Sequence, residues 1–333
     1  MRQVTIMGAG SWGTAFSTVV CDAGSPVRLW ARRPELADTI TTRRVNPDYL
    51  PDVPLSDGLH ATSDPAAALA DAEIVILAIP SQRLRQNLEE WGQLIPHDAL
   101  VLSLAKGIEV GTTLRMSELI TQVAQIDPAR VAVLSGPNLS HEIAARQPAA
   151  SVIASSRAAT AELIAQTVAT PSFRPYTDTD VVGCELGGVT KNVVALAVGM
   201  AEGLGLGDNT KATLITRGLA ETVRLGIALG AQPRTFQGLA GVGDLIATCM
   251  SPLSRNHTVG VALGQGRTVD DVIAATRQTA EGVTSCGSLL ALAQAHQVDV
   301  PLVESVVAVV HDGHHPALIA GSLMARELKA EKA

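Results

Sequence analysis

The residues best able to do chemistry lie in short segments far apart in the chain. Gly188-Val189-Thr190-Lys191-Asn192 sets a lysine and an amide just before an apolar run. A lysine that is partly desolvated and near other cations has a lowered pKa, and can trade a proton with a carbonyl or alcohol oxygen. A lysine snorkelling from a helix is the alternative. Gly238-Leu239-Ala240-Gly241-Val242-Gly243-Asp244 is a glycine-rich loop that ends on an aspartate opening a helical run. Asp244 is either a helix N-cap or a functional carboxylate. Ser254-Arg255-Asn256 follows the Ser251-Pro252-Leu253 turn. It reads either as an oxyanion or phosphate clamp, with Arg255 able to give paired bonds, or as a solvated turn.

A second set of residues points to a nucleotide. Gly8-Ala9-Gly10-Ser11-Trp12-Gly13 follows the apolar run Val4–Met7 and opens a helix-like stretch from Thr14 to Cys21. Strand, tight turn and helix come in the order a dinucleotide needs. Gly8 allows the turn, Gly10 lets the backbone approach a pyrophosphate, and Gly13 permits close helix–strand packing. The next strand, Val27 to Ala31, decides the cofactor. An NAD-specific site ends that strand in Asp or Glu, to hold the ribose 2′-hydroxyl. Here it ends in Arg32-Arg33. Two guanidiniums suit a 2′-phosphate, so NADP(H) is expected to be accepted and preferred. A solvated arginine pair is the alternative.

These residues need a scaffold, and the first half of the chain supplies strand–helix alternation. Further strands are expected at Ile74–Ile79, Leu100–Leu104 and Val131–Leu134, and two more at Ser151–Ala154 and Phe173–Tyr176. Near-continuous apolar runs suit a parallel sheet covered on both faces. Helices are expected between them, as at Gln82–Trp91 and Ala158–Ala169. The fold class is therefore α/β with a doubly wound sheet. Strands of such a sheet bind ligands at their C-terminal ends. That places Lys106, after the Leu100–Leu104 strand, and Gly136, after Val131–Leu134, at the cleft. From about Val181 the strand signals stop. Val303, Val306, Val307 and Val310 share one helical face, and an all-helical domain is expected over 181–333, after a dinucleotide-binding domain over 1–180.

Composition narrows the rest. The chain has 333 residues, 47% of them hydrophobic but only 2% aromatic, so its core is built of Ala, Val, Leu and Ile. A net charge of −7 without a basic block argues against a nucleic-acid partner. Cys21, Cys184, Cys249 and Cys286 are scattered, with neither disulfide nor zinc spacing, which fits a reducing cytoplasm. His311-Asp312-Gly313-His314-His315 lacks a spaced partner cluster and reads as a polar loop, so no metal is expected. Met116 and Met200 read as core. The first twenty residues carry no signal-peptide pattern, and the best apolar run, Val193–Met200, is too short to cross a membrane.

Together these segments resemble the bacterial NAD(P)-dependent sn-glycerol-3-phosphate dehydrogenases over essentially the whole length. The resemblance is carried by the glycine turn with Ser11-Trp12, Asn46-Pro47-Asp48-Tyr49-Leu50-Pro51, Ala105–Glu109, Gly136-Pro137 and Lys191-Asn192. Gly205–Lys211, Ile215–Gly218, Gly243–Leu245, Ser254–Asn256 and Glu281-Gly282 complete it. The resemblance implies a Rossmann-like first domain and a second domain like the C-terminal part of 6-phosphogluconate dehydrogenase. It implies reversible reduction of dihydroxyacetone phosphate to sn-glycerol 3-phosphate with NADP(H) or NAD(H), for phospholipid synthesis, by a homodimer. By that likeness Lys191 is the proton donor and acceptor. Lys106, Gly136, Asp244, Ser254, Arg255 and Asn256 hold substrate, and Lys106 and Arg255 also reach the cofactor. Ser11, Trp12, Arg32, Arg33, Tyr49, Ser140 and Glu281 line the cofactor site. Ser140 and Asn138 depart from the family's usual Ala and Ser, which bears on the cofactor contacts and not on the reaction. A ketopantoate or other two-domain β-hydroxyacid dehydrogenase is the rival enzyme, and an NADPH-sensing binding module is the rival class.

Overall fold

The computed structural model describes residues 1–275, 280–319 and 321. Eight strands form one sheet: β1 (Val4–Met7), β2 (Val27–Trp30), β3 (Leu59–Thr62), β4 (Ile74–Leu77), β5 (Leu100–Ser103), β6 (Val131–Ser135), β7 (Ala149–Ala154) and β8 (Phe173–Asp178). Their order is β3-β2-β1-β4-β5-β6-β7-β8. Val4 of β1 is in register with Val27 on one side and Ile74 on the other, so the chain reverses its winding between β1 and β4.

Alternate residues of each central strand serve opposite faces. In β4, Ile74 and Ile76 pack on one side, Val75 and Leu77 on the other. Helices cover both. α1 (Ser11–Asp22) and α2 (Pro34–Arg43) lie on the first face. α3 (Pro65–Leu69), α4 (Leu84–Trp91) and α5 (Met116–Ala124) lie on the second. α6 (Ser140–Ala144) and α7 (Ala158–Val168) return to the first.

Three sequence expectations need correction here. The sheet is not wholly parallel, because β7 runs antiparallel to β6. The helix between them has five residues, about 7.5 Å at ~1.5 Å each, too short to carry the chain back along β6. β3 was not anticipated. It is an edge strand in which only Leu59 is fully buried, so it has no apolar run to announce it. The helix after the glycine turn starts at Ser11 rather than Thr14.

Beyond β8 the described chain is helical. α8 (Val181–Gly203) is its axis, buried from Gly183 to Ala201. Asp180 starts it, one carboxylate oxygen accepting from the Gly183 N–H at 2.9 Å and the other from the Gln232 N–H and Thr235 hydroxyl at 2.8 and 2.6 Å. Contrary to the reading of Val193–Met200 alone, α8 is long and apolar enough to cross a bilayer, with a mean hydropathy of 1.5. It is the core helix instead, 89% of that apolar window being buried inside the protein.

Around α8 pack α9 (Asp208–Ala228), α10 (Asp244–Met250) and α11 (Arg255–Gly264); α12 (Val269–Ala275), α13 (Glu281–Ala295) and α14 (Pro301–Val310) follow. Against α11 the contact is backbone to backbone. A Cβ on Gly199 or Gly203 would lie 2.2 Å from a carbonyl oxygen of α11, and one on Gly260 or Gly264 2.3 Å from a carbonyl of α8. Met116 and Met200 are core, 1% and 0% exposed. Residues 322–333 of the expected helical domain lie outside the described residues.

Candidate active site

The C-terminal ends of β1, β4, β5 and β6 open on one edge of the sheet, and α8 and α10 face them. β1 runs into Gly8, whose φ of +122° only glycine adopts without strain. A Cβ at Gly13 would sit 1.9 Å from the Gly8 carbonyl oxygen, so α1 can pack this close only through glycine. At Gly10 a Cβ would meet no protein atom within 4 Å. Nothing in the protein requires glycine there, and the bare backbone leaves room for a pyrophosphate at the start of α1. The turn therefore fits a dinucleotide. Ser11 is buried in the first turn of α1, and Trp12 packs on Phe16 with ring centroids 5.3 Å apart.

Asn46 ties a second loop to this turn. It is fully buried, and its Nδ2 donates to the Ala9 carbonyl at 3.0 Å and the Thr14 hydroxyl at 2.8 Å. The loop carries Asp48 and the half-buried Tyr49. Asp48 pairs with Arg33 at the end of β2, where Arg32 and Arg33 are both exposed.

At the other end of the cleft three ionic side chains meet. Asp244, 1% exposed, accepts from Lys191 Nζ through Oδ1 at 2.6 Å and from Lys106 Nζ through Oδ2 at 2.7 Å. The Gly136 N–H also donates to Oδ2, at 3.3 Å. So Asp244 is not the N-cap of α10, whose cap is Gly243; its carboxylate is taken up by the two lysines and the Gly136 N–H. Burial would raise its pKa, but the two ammoniums outweigh that and hold it below the usual carboxylate range. Lys106 is pushed down to about 8 by burial, with Lys191 adding to the fall and Asp244 opposing it.

The two lysines differ in what they have left to give. An ammonium has three N–H donors. Lys106 places all three within the protein, on Asp244, the Gly136 carbonyl at 3.1 Å and Asn138 Oδ1 at 3.0 Å. Lys191 has two partners among the described residues, Asp244 and the Thr248 hydroxyl at 2.8 Å. One N–H of Lys191 has no acceptor among the described residues.

The Ser254-Arg255-Asn256 segment does not act as one turn. Ser254 caps α11, its hydroxyl accepting from the His257 N–H at 3.3 Å. Arg255 stands exposed in the first turn. Asn256 turns inward, donating to Asn192 Oδ1 at 3.0 Å and accepting from the Gly282 N–H at 2.9 Å. Next to Gly282, Glu281 accepts from the Ser81 N–H at 3.2 Å, joining α13 to the loop after β4. Burial raises its pKa. Ser140 is half-exposed at the start of α6, three residues beyond Pro137.

Comparison with known proteins assigns this arrangement. A family model described as the NAD-dependent glycerol-3-phosphate dehydrogenase N-terminus matches residues 3–161, and its C-terminal counterpart matches 180–320. The chain belongs to the NAD-dependent glycerol-3-phosphate dehydrogenase family. It is 56% identical over 330 residues to the glycerol-3-phosphate dehydrogenase [NAD(P)+] of Streptomyces avermitilis, covering 99% of this chain and 98% of that one. The same enzyme of Thermobifida fusca is 55% identical, over 100% and 99% of the two chains. The crystal structure of glycerol-3-phosphate dehydrogenase from Coxiella burnetii superposes with a TM-score of 0.92 at 35% identity, over 98% and 99% of the two chains. A ketopantoate reductase from Ralstonia eutropha, at 17% identity and a TM-score of 0.62, covers 96% and 99% of the two chains and shares only the fold.

As a member of this family the chain is an oxidoreductase with an NAD(P)-binding domain. The sequence reading missed two contributors to the ionic cluster. Thr248 had a signal, since it lies four residues after Asp244 on one helical face. Asn138 stands out in the sequence only as a departure from the family's usual Ser, because its bond to Lys106 joins two loops 32 residues apart.

Proposed function

We propose that this glycerol-3-phosphate dehydrogenase family member reduces dihydroxyacetone phosphate to sn-glycerol 3-phosphate with NAD(P)H, reversibly, using Lys191 as the proton donor and acceptor. One observation carries the choice of Lys191: among the described residues, it is the one of the two lysines on Asp244 that keeps an N–H without an acceptor. The nicotinamide supplies the hydride to the carbonyl carbon. As negative charge grows on the carbonyl oxygen, Lys191 Nζ donates to it and then transfers a proton. Asp244 and Thr248 fix the direction of the remaining N–H. Lys106 keeps the cluster cationic for an anionic substrate, through its charge rather than a spare donor. In the reverse direction Lys191 Nζ takes the alcohol proton.

Arg255 and the backbone near Gly136 suit the phosphate, with Asn256 and Ser254 holding the start of α11 in place. For the cofactor, Gly8, Gly10, Ser11 and Gly13 suit the pyrophosphate, and Arg32 and Arg33 suit the 2′-phosphate. Trp12, Tyr49, Ser140 and Glu281 border that path. The product serves glycerophospholipid synthesis.

We read the chain as a cytoplasmic homodimer that does not insert into membranes, divided at 180/181. The unpaired state of all four cysteines and the burial of α8 support the compartment and the solubility. The end of β8 at Asp178 supports the division. Sedimentation and cell fractionation test the assembly and the location.

The reaction is tested by following nicotinamide absorbance with dihydroxyacetone phosphate and NADPH or NADH. Rapid oxidation by the native protein and near-total loss in Lys191→Ala are expected. Bound NADPH without oxidation by the native protein would overturn the proposal.

A further inference from the structure

We infer that Asp48 sets how strongly this enzyme favours a cofactor bearing a 2′-phosphate, by competing with that phosphate for Arg33. The inference rests on the reading of Arg32 and Arg33 as the 2′-phosphate clamp. Its own observations are the Arg33–Asp48 ion pair and the way the Asp48 loop is held. Asn46 is fully buried and bonded to the glycine turn, and Leu50 is 1% exposed. The Leu50 N–H closes the loop onto the Asn46 carbonyl at 2.9 Å. Between these two anchors Asp48 projects to solvent and meets Arg33. The loop that presents Asp48 is therefore fixed against the glycine turn, while the carboxylate itself stays exposed beside Arg33.

Position makes this unusual. A site for the unphosphorylated cofactor carries its carboxylate at the end of β2. Here that place holds two arginines, and the carboxylate reaches one of them from a different loop. A 2′-phosphate that takes Arg33 must displace Asp48 and then accept a like charge beside it. A cofactor without the phosphate leaves the pair intact. Both side chains are well exposed, at 54% for Arg33 and 37% for Asp48, so the exchange is cheap and its effect on affinity modest. Packing does not call for the pair, since Arg33 is the only ionic partner of Asp48 among the described residues.

The experiment is Asp48→Asn, assayed with dihydroxyacetone phosphate against NADPH and NADH, beside Arg32→Ala and Arg33→Ala. Asp48→Asn is expected to lower KM for NADPH about three- to ten-fold, with KM for NADH and kcat unchanged. The gain should shrink at high salt, where exposed charges are screened. Inhibition by adenosine 2′,5′-bisphosphate should tighten by the same factor, and that by 5′-AMP should not. An unchanged or raised KM for NADPH in Asp48→Asn, or an equal change for both cofactors, overturns the inference. The underlying reading fails separately, if neither arginine variant weakens NADPH. If they weaken it and Asp48→Asn does not strengthen it, the clamp stands and the role of Asp48 falls.

Discussion

At one end of the cleft Asp244 is 1% exposed and shared by Lys106 and Lys191; at the other, Asp48 is 37% exposed and, among the described residues, pairs with Arg33 alone. The bonded groups are of the same kinds, but their surroundings are opposite. In the buried cluster water cannot replace a lost partner, so each charge depends on the other two and the protonation of Lys106 is tied to theirs. In the exposed pair water stands ready to replace either side. On the proposed function, burial suits the end where Lys191 would move a proton, and exposure the end where one of two cofactors would be admitted.

The contrast can be broken most sharply at Lys191. Lys191→Ala should cut kcat about 10³-fold, the middle of the range for a lost general acid, while NADPH binding measured by fluorescence stays near native. A loss under ten-fold would mean that the proton comes from elsewhere. Asp244→Asn leaves two buried ammoniums without a counter-ion. It should cost about 3–5 kcal/mol of stability in denaturant titration, where Asp48→Asn should cost less than about 1 kcal/mol. Equal costs would erase the distinction between the two ends.

Another buried carboxylate sharpens the point because it has no cation in contact among the described residues. Among the described residues Glu221, on α9, accepts only from the Leu302 and Val303 N–H groups at the start of α14, at 2.8 and 3.3 Å. Burial pushes its pKa up to about 7, the opposite direction from Asp244. Between the ordinary value of 4.5 and about 7 the folded state holds a proton that the unfolded chain has released. Stability is therefore lost as pH rises through that window. Glu221→Gln should remove this slope and gain about 1–3 kcal/mol at pH 8 relative to pH 4.5, read from denaturant midpoints. A parallel pH dependence in native and variant protein would assign the slope to other groups.

Smaller effects are expected from pH at the active site. Above about 8 Lys106 loses its proton and the cluster loses its net positive charge. KM for dihydroxyacetone phosphate should then rise, by at most about ten-fold per pH unit, and Lys106→Gln should lack that limb. Smallest of all, Arg33→Ala should raise KM for NADPH by about three- to ten-fold, and the rise should fade in high salt.

Much of this was legible in the sequence, for reasons that differ by region. β1, β4, β5 and β6 are covered on both faces, so nearly every residue is apolar, with Thr5, Ser103 and Ser135 the small polar exceptions, and the run stands out. β3, with a burial pattern that falls away after Leu59, leaves no such trace. The direction of β7 depends on how far a five-residue helix can carry the chain, which side-chain pattern does not record. Lys106, Lys191 and Asp244 were each visible as odd polar residues beside glycines or strand ends. That one carboxylate would serve both lysines was not, because their segments lie 138 and 53 residues from it. Local rules allowed Asp244 a cap or a function, and only tertiary contact distinguishes them.

The seam between α8 and α11 has a consequence for inheritance. Gly199, Gly203, Gly260 and Gly264 bring no side chain to any substrate, yet a methyl group on any of them would meet a carbonyl oxygen of the facing helix at 2.2 or 2.3 Å. The helices would have to part, and Asn256 would be drawn off Asn192. A change that spares every side chain of the site can thus still disturb it, and at these four glycines even a single methyl group forces the helices to shift.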